Sequence, residues 1–396
     1  MRRLAAGLAV VGWLAGAPAR AQEPAPAPTP PAAPSPPPLT NTDVPWRTNY
    51  FPYLSGLSND GPLISFRIRR SQAAPYESRV TARAFAQLDA GVGFRGTRFA
   101  VAQFGAPLLV KDWRFSGQLF ATRESRYGFY GIGNGTTFNS ANVTDADPFF
   151  YRVQRTRYQA IAEVTRHVVG PLHVALQGSV QSTKFVAPDE GTSVFLQTYG
   201  GSLKQDDASV RGALVLDTRD TEFDPHRGLL LEAGYQVASG GTGYERAYAI
   251  FRGWVQVREG TVLAARLAGS QLYGDPTLDA RYVIPGWERM IPVLGGSFSF
   301  RGIETGRFAG EGVLLGNFEV RQNLLSFANV AGLVLVGFVD AGRVFEGEQF
   351  DLTTSGVKVG GGAGVALRVL RSTAFSLSLA RGPEHTRLAF GFGWMF

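Results

Sequence analysis

The sequence contains no cysteine, only four histidines and, after residue 21, no apolar stretch long enough to cross a membrane as a helix. Without cysteine there can be no disulfide and no thiolate metal site. No histidine lies in an HExxH motif, and neither a GxSxG motif nor a nucleic-acid-binding motif occurs. The sequence therefore predicts no catalytic residue, metal, cofactor or nucleic-acid partner. The enzyme alternative left open is a Ser/His/Asp site assembled across distant strands.

The remaining composition favours strands over helices. Charged residues make up 18% of the chain, which is too polar for a bundle of membrane-spanning helices. It suits a barrel in which lipid-facing and lumen-facing residues alternate. The 49 glycines and 28 phenylalanines fit tight turns and aromatic girdles. The net charge of +7 is carried mainly by arginine, which suits ion-pair networks in the lumen and could attract anionic lipid headgroups. Genomic base composition explains the preference for arginine over lysine equally well.

The N-terminal part of the chain divides into three predicted segments. Residues 1–21 have the features of a secretory signal peptide, with two arginines, a short apolar stretch and a small-residue cleavage site that ends at Ala21. Residues 22–45 are rich in proline and alanine and are predicted to form a disordered periplasmic segment, or alternatively an extended spacer. Residues 46–396 are predicted to form an outer-membrane β-barrel.

The end of the chain shows the strand pattern most clearly. Every second residue is large and apolar, and a period of two indicates a strand with one apolar face. In a membrane barrel this strand would pair with the first strand and face lipid. The alternative is an edge strand of a soluble sandwich. The residues of the predicted C-terminal targeting strand are Leu388, Phe390, Phe392, Trp394 and Phe396.

The same alternation, interrupted by turn residues, predicts an all-β fold: a 16-stranded antiparallel transmembrane β-barrel. Long connections are expected at about residues 124–149, 186–207 and 274–311, all on the extracellular side. The predicted strands are 50–57, 62–70, 78–91, 95–107, 112–123, 150–166, 171–185, 208–219, 228–239, 243–258, 260–273, 312–324, 329–345, 356–369, 372–381 and 385–396.

Three segments together carry a family resemblance. They are VRGALVLDTRDTEFDPHRGLLLE at residues 210–232, GGSFSFRGIETGRF at 295–308 and FVDAGRVF at 338–345. In this order, and with a terminal phenylalanine, the chain resembles the BamA/TamA superfamily of outer-membrane barrels, also called bacterial surface antigens. The sequence YGIGN at residues 130–134 resembles a loop of family members that lack periplasmic POTRA domains.

The resemblance implies that the sixth extracellular loop folds into the barrel. Its tip corresponds to Phe300, Arg301 and Gly302, and the acidic partners of the arginine correspond to Glu319 and Asp340. Such an arginine would form a charge-assisted clamp with two lumenal carboxylates. The residue after the Arg-Gly pair is isoleucine instead of the family's usual aromatic, which puts the aromatic packing of the tip in doubt. The alternative is that the arginine is a solvated loop residue.

Glycines mark two further places. Gly360, Gly362 and Gly364 fall on one face of a strand, and glycine there allows another group to come close. We expect this patch to make room for the inserted loop, with barrel curvature as the alternative. Gly391 and Gly393 are expected to permit a kink or weak closure in the last strand.

The resemblance implies assembly, insertion or translocation of outer-membrane proteins through a seam between the first and last strands. It places the chain in the bacterial outer membrane, as a monomer among outer-membrane lipids and lipopolysaccharide. The short segment 22–45 is expected to leave no room for POTRA domains, so a periplasmic partner would supply client barrel proteins. The alternatives are a passive pore or surface antigen, and an anchor that tethers something through the proline-rich arm.

Overall fold

The computed structural model describes residues 44–56, 59–240, 243–327, 331–369 and 373–396. The predicted signal peptide and nearly all of the Pro/Ala-rich segment therefore lie outside the described residues. Across the described ranges, no helix combines the length and the apolarity needed to cross a membrane.

Most of the described chain forms strands that follow one another in antiparallel order. One short helix, α1, spans Val194–Tyr199, and two 3₁₀ turns span Ser140–Asn142 and Asp279–Tyr282. The strands are β1 Trp46–Gly56, β2 Pro62–Ala73, β3 Ala82–Gly93, β4 Arg98–Val110, β5 Trp113–Gly128, β6 Arg152–Val169, β7 Leu172–Val186, β8 Ser202–Asp217, β9 Gly228–Ala238, β10 Tyr244–Arg258, β11 Thr261–Gly274, β12 Val283–Ile284, β13 Ile291–Pro292, β14 Gly312–Phe327, β15 Ala331–Phe345, β16 Lys358–Val369, β17 Thr373–Arg381 and β18 Thr386–Phe392.

Sixteen strands, β1–β11 and β14–β18, form one sheet in chain order, and β12 pairs separately with β13. The predicted 16-stranded antiparallel barrel is confirmed. The long connections 129–151, 187–201 and 275–311 all lie at one end of the sheet, called the long-loop end below. The opposite end carries tight turns such as residues 170–171 and is called the short-turn end. In outer-membrane barrels long loops are extracellular and short turns periplasmic.

The two faces of the wall differ in chemistry because side chains alternate along each strand. On β2, Ile64 and Phe66 point outward and are exposed, whereas Arg67 points inward and bonds Asp89 across the sheet at 2.7 Å. The largest completely buried side chains include the inward-facing Arg211, Arg252 and Arg266. An apolar exterior with a polar, ion-paired interior fits a wall between hydrocarbon and a lumen.

Strand boundaries differ from the predicted ones where polar residues on both faces hide the alternation of apolar and polar side chains. β8 begins at Ser202 instead of residue 208, because its first part carries polar residues on both faces. Such a strand end can project beyond the hydrocarbon, so no apolar face is required. The two-residue strands β12 and β13 and the helix α1 lie in long loops and were not predicted, since segments this short carry no periodicity.

The prediction that the last strand continues to Phe396 with its aromatic face toward lipid is wrong for its final residues. β18 ends at Phe392, and Gly393 has φ +82°, a conformation that glycine adopts without strain. Trp394, Met395 and Phe396 are buried. The expected kink at Gly393 therefore occurs, and it turns the chain end away from the lipid-facing wall into the lumen.

Candidate functional site

The loop between β11 and β14, residues 275–311, packs against the inner face of the wall and is called loop 6 below. Near its middle, Arg301 lies against the inner wall of β14 and β15 and is 5% exposed. Its Nη1 lies 2.6 Å from Glu319 Oε1, and its Nη2 lies 2.7 Å from Asp340 Oδ1. Its Nε and its backbone N–H both donate to Asp340 Oδ2, each at 3.0 Å. The structure thus brings together the three charged residues that the resemblance singled out.

The wall presents the two carboxylates because of strand parity. Glu319 lies on β14 with Asn317, two residues away on the same inward face, and Asn317 is the register partner of Asp340 on β15. The Asn317 amide donates to Asp340 Oδ1 at 2.8 Å and to the Ser299 carbonyl at 2.6 Å, which holds the loop backbone as well. Glu319 accepts from Arg321 Nε at 2.8 Å, so neighbours on the wall hold both carboxylates in addition to Arg301.

The pKa of Arg301 reflects this surrounding. Burial lowers the pKa, but the hydrogen bonds and negative charges of Asp340 and Glu319 outweigh burial and hold the pKa above its usual value. The guanidinium carbon also lies 3.4 Å from the ring centroid of Phe338, a cation–π contact. The arginine is therefore charged at any physiological pH.

Aromatic side chains and glycines let the tip of loop 6 pack closely against the wall. Phe300 is completely buried, and a Cβ added at Gly360 would stand 2.6 Å from its ring, so this glycine does make room for the loop. Gly302 lies against the turn between β17 and β18, where a Cβ would stand 2.6 Å from the Gly382 nitrogen. Ile303, in place of an aromatic, is buried in the same apolar cluster as Phe300.

Gly362 and Gly364, the other two glycines on this face of β16, are required for a different reason. A Cβ at Gly362 would stand 2.8 Å from the Phe338 ring and crowd the backbone of β17. A Cβ at Gly364 would stand 2.7 Å from the Ser378 Cα on that strand. Close packing between wall strands explains these two positions, so the inserted loop accounts for only part of the patch.

A second ion cluster, which the sequence did not predict, holds the hairpin of β12 and β13. Glu288 at the hairpin turn lies 2.7 Å from Arg219 Nη2 and 2.9 Å from Arg252 Nη1. Arg219 belongs to the short turn between β8 and β9 and also pairs with Asp217 at 2.9 Å. Loop 6 therefore reaches from the long-loop end to the short-turn end of the lumen.

The neighbouring Trp287 completes this contact. Its backbone N–H donates to Glu232 Oε2 at 2.8 Å, and its indole N–H donates to Thr165 Oγ1 at 2.9 Å. The alternation of β9 and β10 places Glu232 and Arg252 in the lumen, but it gives no indication of what they bind. One feature of the sequence could have indicated this contact, namely the Trp-Glu-Arg sequence at residues 287–289 of the long loop. Large and charged side chains need partners if they are buried.

The lumenal arginines also hold the end of the chain. The Arg321 guanidinium carbon lies 4.2 Å from the ring centroid of Trp394, and its Nη2 donates to the Phe396 carbonyl at 3.0 Å. Arg266 lies 5.1 Å from the Phe396 ring centroid, and loop 6 contributes Arg289, which donates to the Trp394 carbonyl at 3.0 Å. The chain end and loop 6 are thus in direct contact.

The edge strands β1 and β18 meet without a ladder of hydrogen bonds among the described residues. Aromatic rings pack across this seam: the centroids of Tyr53 and Phe392 are 5.2 Å apart, and Phe51 lies 6.4 Å from Phe375 on the neighbouring strand β17. Phe392, the last residue of β18, therefore lies beside the later part of β1. Residues 46–52 of β1 extend past the end of β18 toward the short-turn end.

Comparisons with known proteins agree with this architecture. A family model described as the Omp85 superfamily domain matches residues 85–393. BamA from Haemophilus ducreyi lacking POTRA domains 1–3 is similar, with 13% identity, a TM-score of 0.53 and coverage of 88% of this chain and 69% of that chain. CdiB from Escherichia coli is similar, with 12% identity, a TM-score of 0.52 and coverage of 87% and 61%. At these identities the likeness shows the fold, and no curated protein matches the sequence.

Proposed function

Because the chain belongs to the Omp85 superfamily and is a bacterial outer-membrane β-barrel, we propose that it inserts or translocates other outer-membrane proteins through the seam between β1 and β18. The observation that carries this proposal is the missing ladder between the two edge strands. In a closed barrel every strand has two hydrogen-bonded neighbours, whereas in the described part of the chain these two strands have one each.

An unpaired strand edge can act as a template. Its free N–H and C=O groups can pair with an incoming extended segment, which is β-augmentation. Residues 46–52 of β1 are the most accessible stretch, because β18 ends at Phe392 opposite the later part of β1. This stretch lies toward the short-turn, periplasmic end, from which unfolded client barrel proteins would arrive.

The anchored loop supports the same function. Loop 6 is held by Arg301 at its tip and by Glu288 at its hairpin, so the lumen stays filled while the seam moves. Arg387 on β18 donates to the Ile303 carbonyl at 2.7 Å, and this bond connects the loop to the edge strand itself. We infer that the clamp of Arg301, Glu319 and Asp340 fixes the wall beside the seam.

A reversible cross-link across the seam tests the proposal. The natural chain has no cysteine, so the variant Tyr53→Cys/Phe392→Cys can be joined specifically by a short cleavable bismaleimide. The matched control is Leu377→Cys/Phe390→Cys, which joins β17 to β18 where a ladder already exists. The readout is the folding of an unfolded test barrel into liposomes that contain the full chain, followed by its heat-modifiable gel mobility.

We expect the seam cross-link to abolish the acceleration of folding, cleavage of the linker to restore it, and the control to behave as the wild type. Equal acceleration with the seam locked would contradict the proposal. The competing hypothesis is a passive pore or surface antigen. Depletion of the protein in its native bacterium separates the two, since only assembly activity predicts the loss of other barrels from the outer membrane.

A further inference from the structure

The outward face of β4 and β5 carries two arginines directly opposite each other. Arg98 and Arg123 are register partners, and both are exposed. Like charges directly opposite each other on neighbouring strands are destabilising. Within the described ranges neither side chain has an ion-pair partner, and Arg123 donates one hydrogen bond, to Gln154 Oε1 at 2.8 Å. The outer wall thus holds positive charge that no carboxylate of the described residues neutralises.

Both arginines belong to the face that contacts lipid. Arg123 shares the outward side of β5 with Leu119, which is 59% exposed. Arg98 shares the outward side of β4 with Phe104, which is 46% exposed. The two guanidinium groups therefore stand on the wall whose neighbouring material is lipid.

The spacing along β5 places the arginine pair at a membrane surface. Arg123 lies ten residues from Trp113, which packs against Arg166 at the short-turn end of the wall. Ten residues span roughly 33 Å along a strand, and a tilt of about 40° reduces this to ~25 Å across the membrane. That is the height of the apolar band of an outer-membrane barrel. The arginine pair thus lies at the outer headgroup level if the tryptophan lies at the inner one.

A depression of about 390 Å³ adjoins the pair on the outward face. Arg98 and Arg123 line it together with the small side chains of Ala90, Ala100 and Ala121. Tyr158, the register partner of Ala121, bounds it on the next strand. The site therefore combines two cations at the headgroup level with a smooth apolar recess beside them.

Two other outward-facing cations near the long-loop end have acidic partners, whereas Arg381 on β17 has none among the described residues. Arg343 on β15 lies 2.5 Å from Asp351 and donates to Thr353 Oγ1 at 2.6 Å. Lys204 on β8 lies 3.2 Å from Asp206. Lys204 also faces Lys184 across the ladder, but Asp206 supplies a carboxylate there, whereas the arginine pair on β4 and β5 has no carboxylate partner among the described residues.

We propose that Arg98 and Arg123 bind the phosphate group of a phosphorylated lipid of the outer leaflet, with an acyl chain in the adjoining depression. Guanidinium groups bind phosphate bidentately through their planar fork. A dianionic group between the two arginines would convert a like-charge contact into an ion-paired cluster. The site lies on the outside of the barrel, so it is independent of the seam and of the proposed insertion function.

The test uses the full chain in neutral detergent and native mass spectrometry. The probes are bisphosphorylated lipid A, the same lipid with its phosphates removed, and inorganic phosphate as competitor. The variants are Arg98→Gln, Arg123→Gln and their combination. The control is Arg381→Gln, which removes another exposed outward arginine, on β17, whose described contact is a 3.3 Å hydrogen bond to Thr386.

We expect each single variant to bind lipid A about fivefold more weakly, the factor that one cation near a charged membrane surface contributes, and the double variant roughly 25-fold more weakly. Arg381→Gln should weaken binding less than either single variant does, because Arg381 does not line the depression beside the pair. Three results would overturn the proposal: undiminished binding by the double variant, equal binding of the dephosphorylated lipid, and displacement of the lipid by equimolar inorganic phosphate. The last would indicate a site for free phosphate.

Thermal unfolding provides a second readout that does not depend on the binding assay. Removal of one arginine should leave the midpoint in neutral detergent unchanged or higher, because repulsion is relieved. Lipid A should raise the midpoint of the wild type and raise that of the single variants less. Equal stabilisation of all forms by lipid A would also contradict the proposal, even if the double variant failed to fold.

Discussion

Loop 6 is held at two places by ion clusters of opposite polarity. At the tip the loop supplies the cation, Arg301, and the wall supplies the carboxylates of Glu319 and Asp340. At the hairpin the loop supplies the carboxylate of Glu288, and the short turn and the wall supply Arg219 and Arg252. A loop that exchanged its tip and its hairpin along the lumen would bring like charges together, so the two clusters jointly favour one orientation of loop 6.

The clusters differ in what remains when the loop residue is lost. Without Arg301, two buried carboxylates stand close together, although Arg321 still bonds Glu319 at 2.7 Å. Without Glu288, Arg219 keeps Asp217, and only Arg252 loses its ion pair among the described residues. The tip should therefore be the more sensitive of the two places.

The largest effect is expected from Arg301→Ala. It leaves Glu319 and Asp340 buried with one lost counter-charge, at a cost of about 3–5 kcal/mol in the free energy of unfolding. Urea unfolding of the barrel in liposomes measures the change. Arg301→Lys is the control, because it keeps the charge without the bidentate fork and should lose less. A variant as stable as the wild type would contradict the clamp.

Glu288→Gln should have a smaller effect. It removes charge-assisted bonds to Arg219 and Arg252, worth about 1.5–3 kcal/mol. Because the hairpin crosses the lumen, we also expect a higher single-channel conductance in planar bilayers. Exposed Glu245, which bonds Tyr235 on the outward wall, provides the control Glu245→Gln. Unchanged stability and conductance would indicate that the hairpin is seated by its apolar contacts alone.

Gly360→Ala tests the seat of the tip without changing charge. The added methyl would stand 2.6 Å from the Phe300 ring, and such overpacking costs about 1–3 kcal/mol. Gly337→Ala on β15 is the matched control, since nothing lies within 4 Å of the added Cβ. The comparison of the two urea midpoints gives the result, and equal midpoints would show that the tip can shift without cost.

The smallest effect is a pH dependence of the hairpin cluster. Burial raises the pKa of Glu288, but the charges of Arg219 and Arg252 outweigh burial and hold it at about 2, below the ordinary 4.5. A lowered folded-state pKa stabilises the fold above the ordinary value, and that stabilisation is lost as the pH falls through the folded value. The stability difference between wild type and Glu288→Gln should stay constant from neutral pH to about 5 and shrink below it. A difference that disappears near neutral pH would contradict this.

Much of the wall could be predicted because its information is local. The alternation of side chains indicates which face of a strand meets lipid. From this alternation the sequence predicts sixteen strands and places all the long loops at one end of the barrel. The contact of Arg301 with Glu319 and Asp340 was found through resemblance, since residues 18 and 39 positions apart leave no local signal. The functional role of the clamp stays a prediction.

The interior was harder to predict because its contacts are long-range. Glu288 and Arg219 are 69 positions apart, and β12 and β13 are two residues each, too short for a period to be recognised. At the chain end the apolar alternation continues through Trp394 and Phe396, although the strand stops before them. Only the positions of Arg266 and Arg321 show why the lumen is the better place for those rings.

The sequence by itself determined that this chain forms strands with an apolar outer face, because apolar and polar residues alternate within each strand independently of the others. The tertiary structure decided which inward charges meet, and it decided that β1 and β18 share no ladder among the described residues. It also decided that the last three residues turn into the lumen. These outcomes depend on distances between residues far apart in the chain, and those distances exist only once the wall has curved around loop 6.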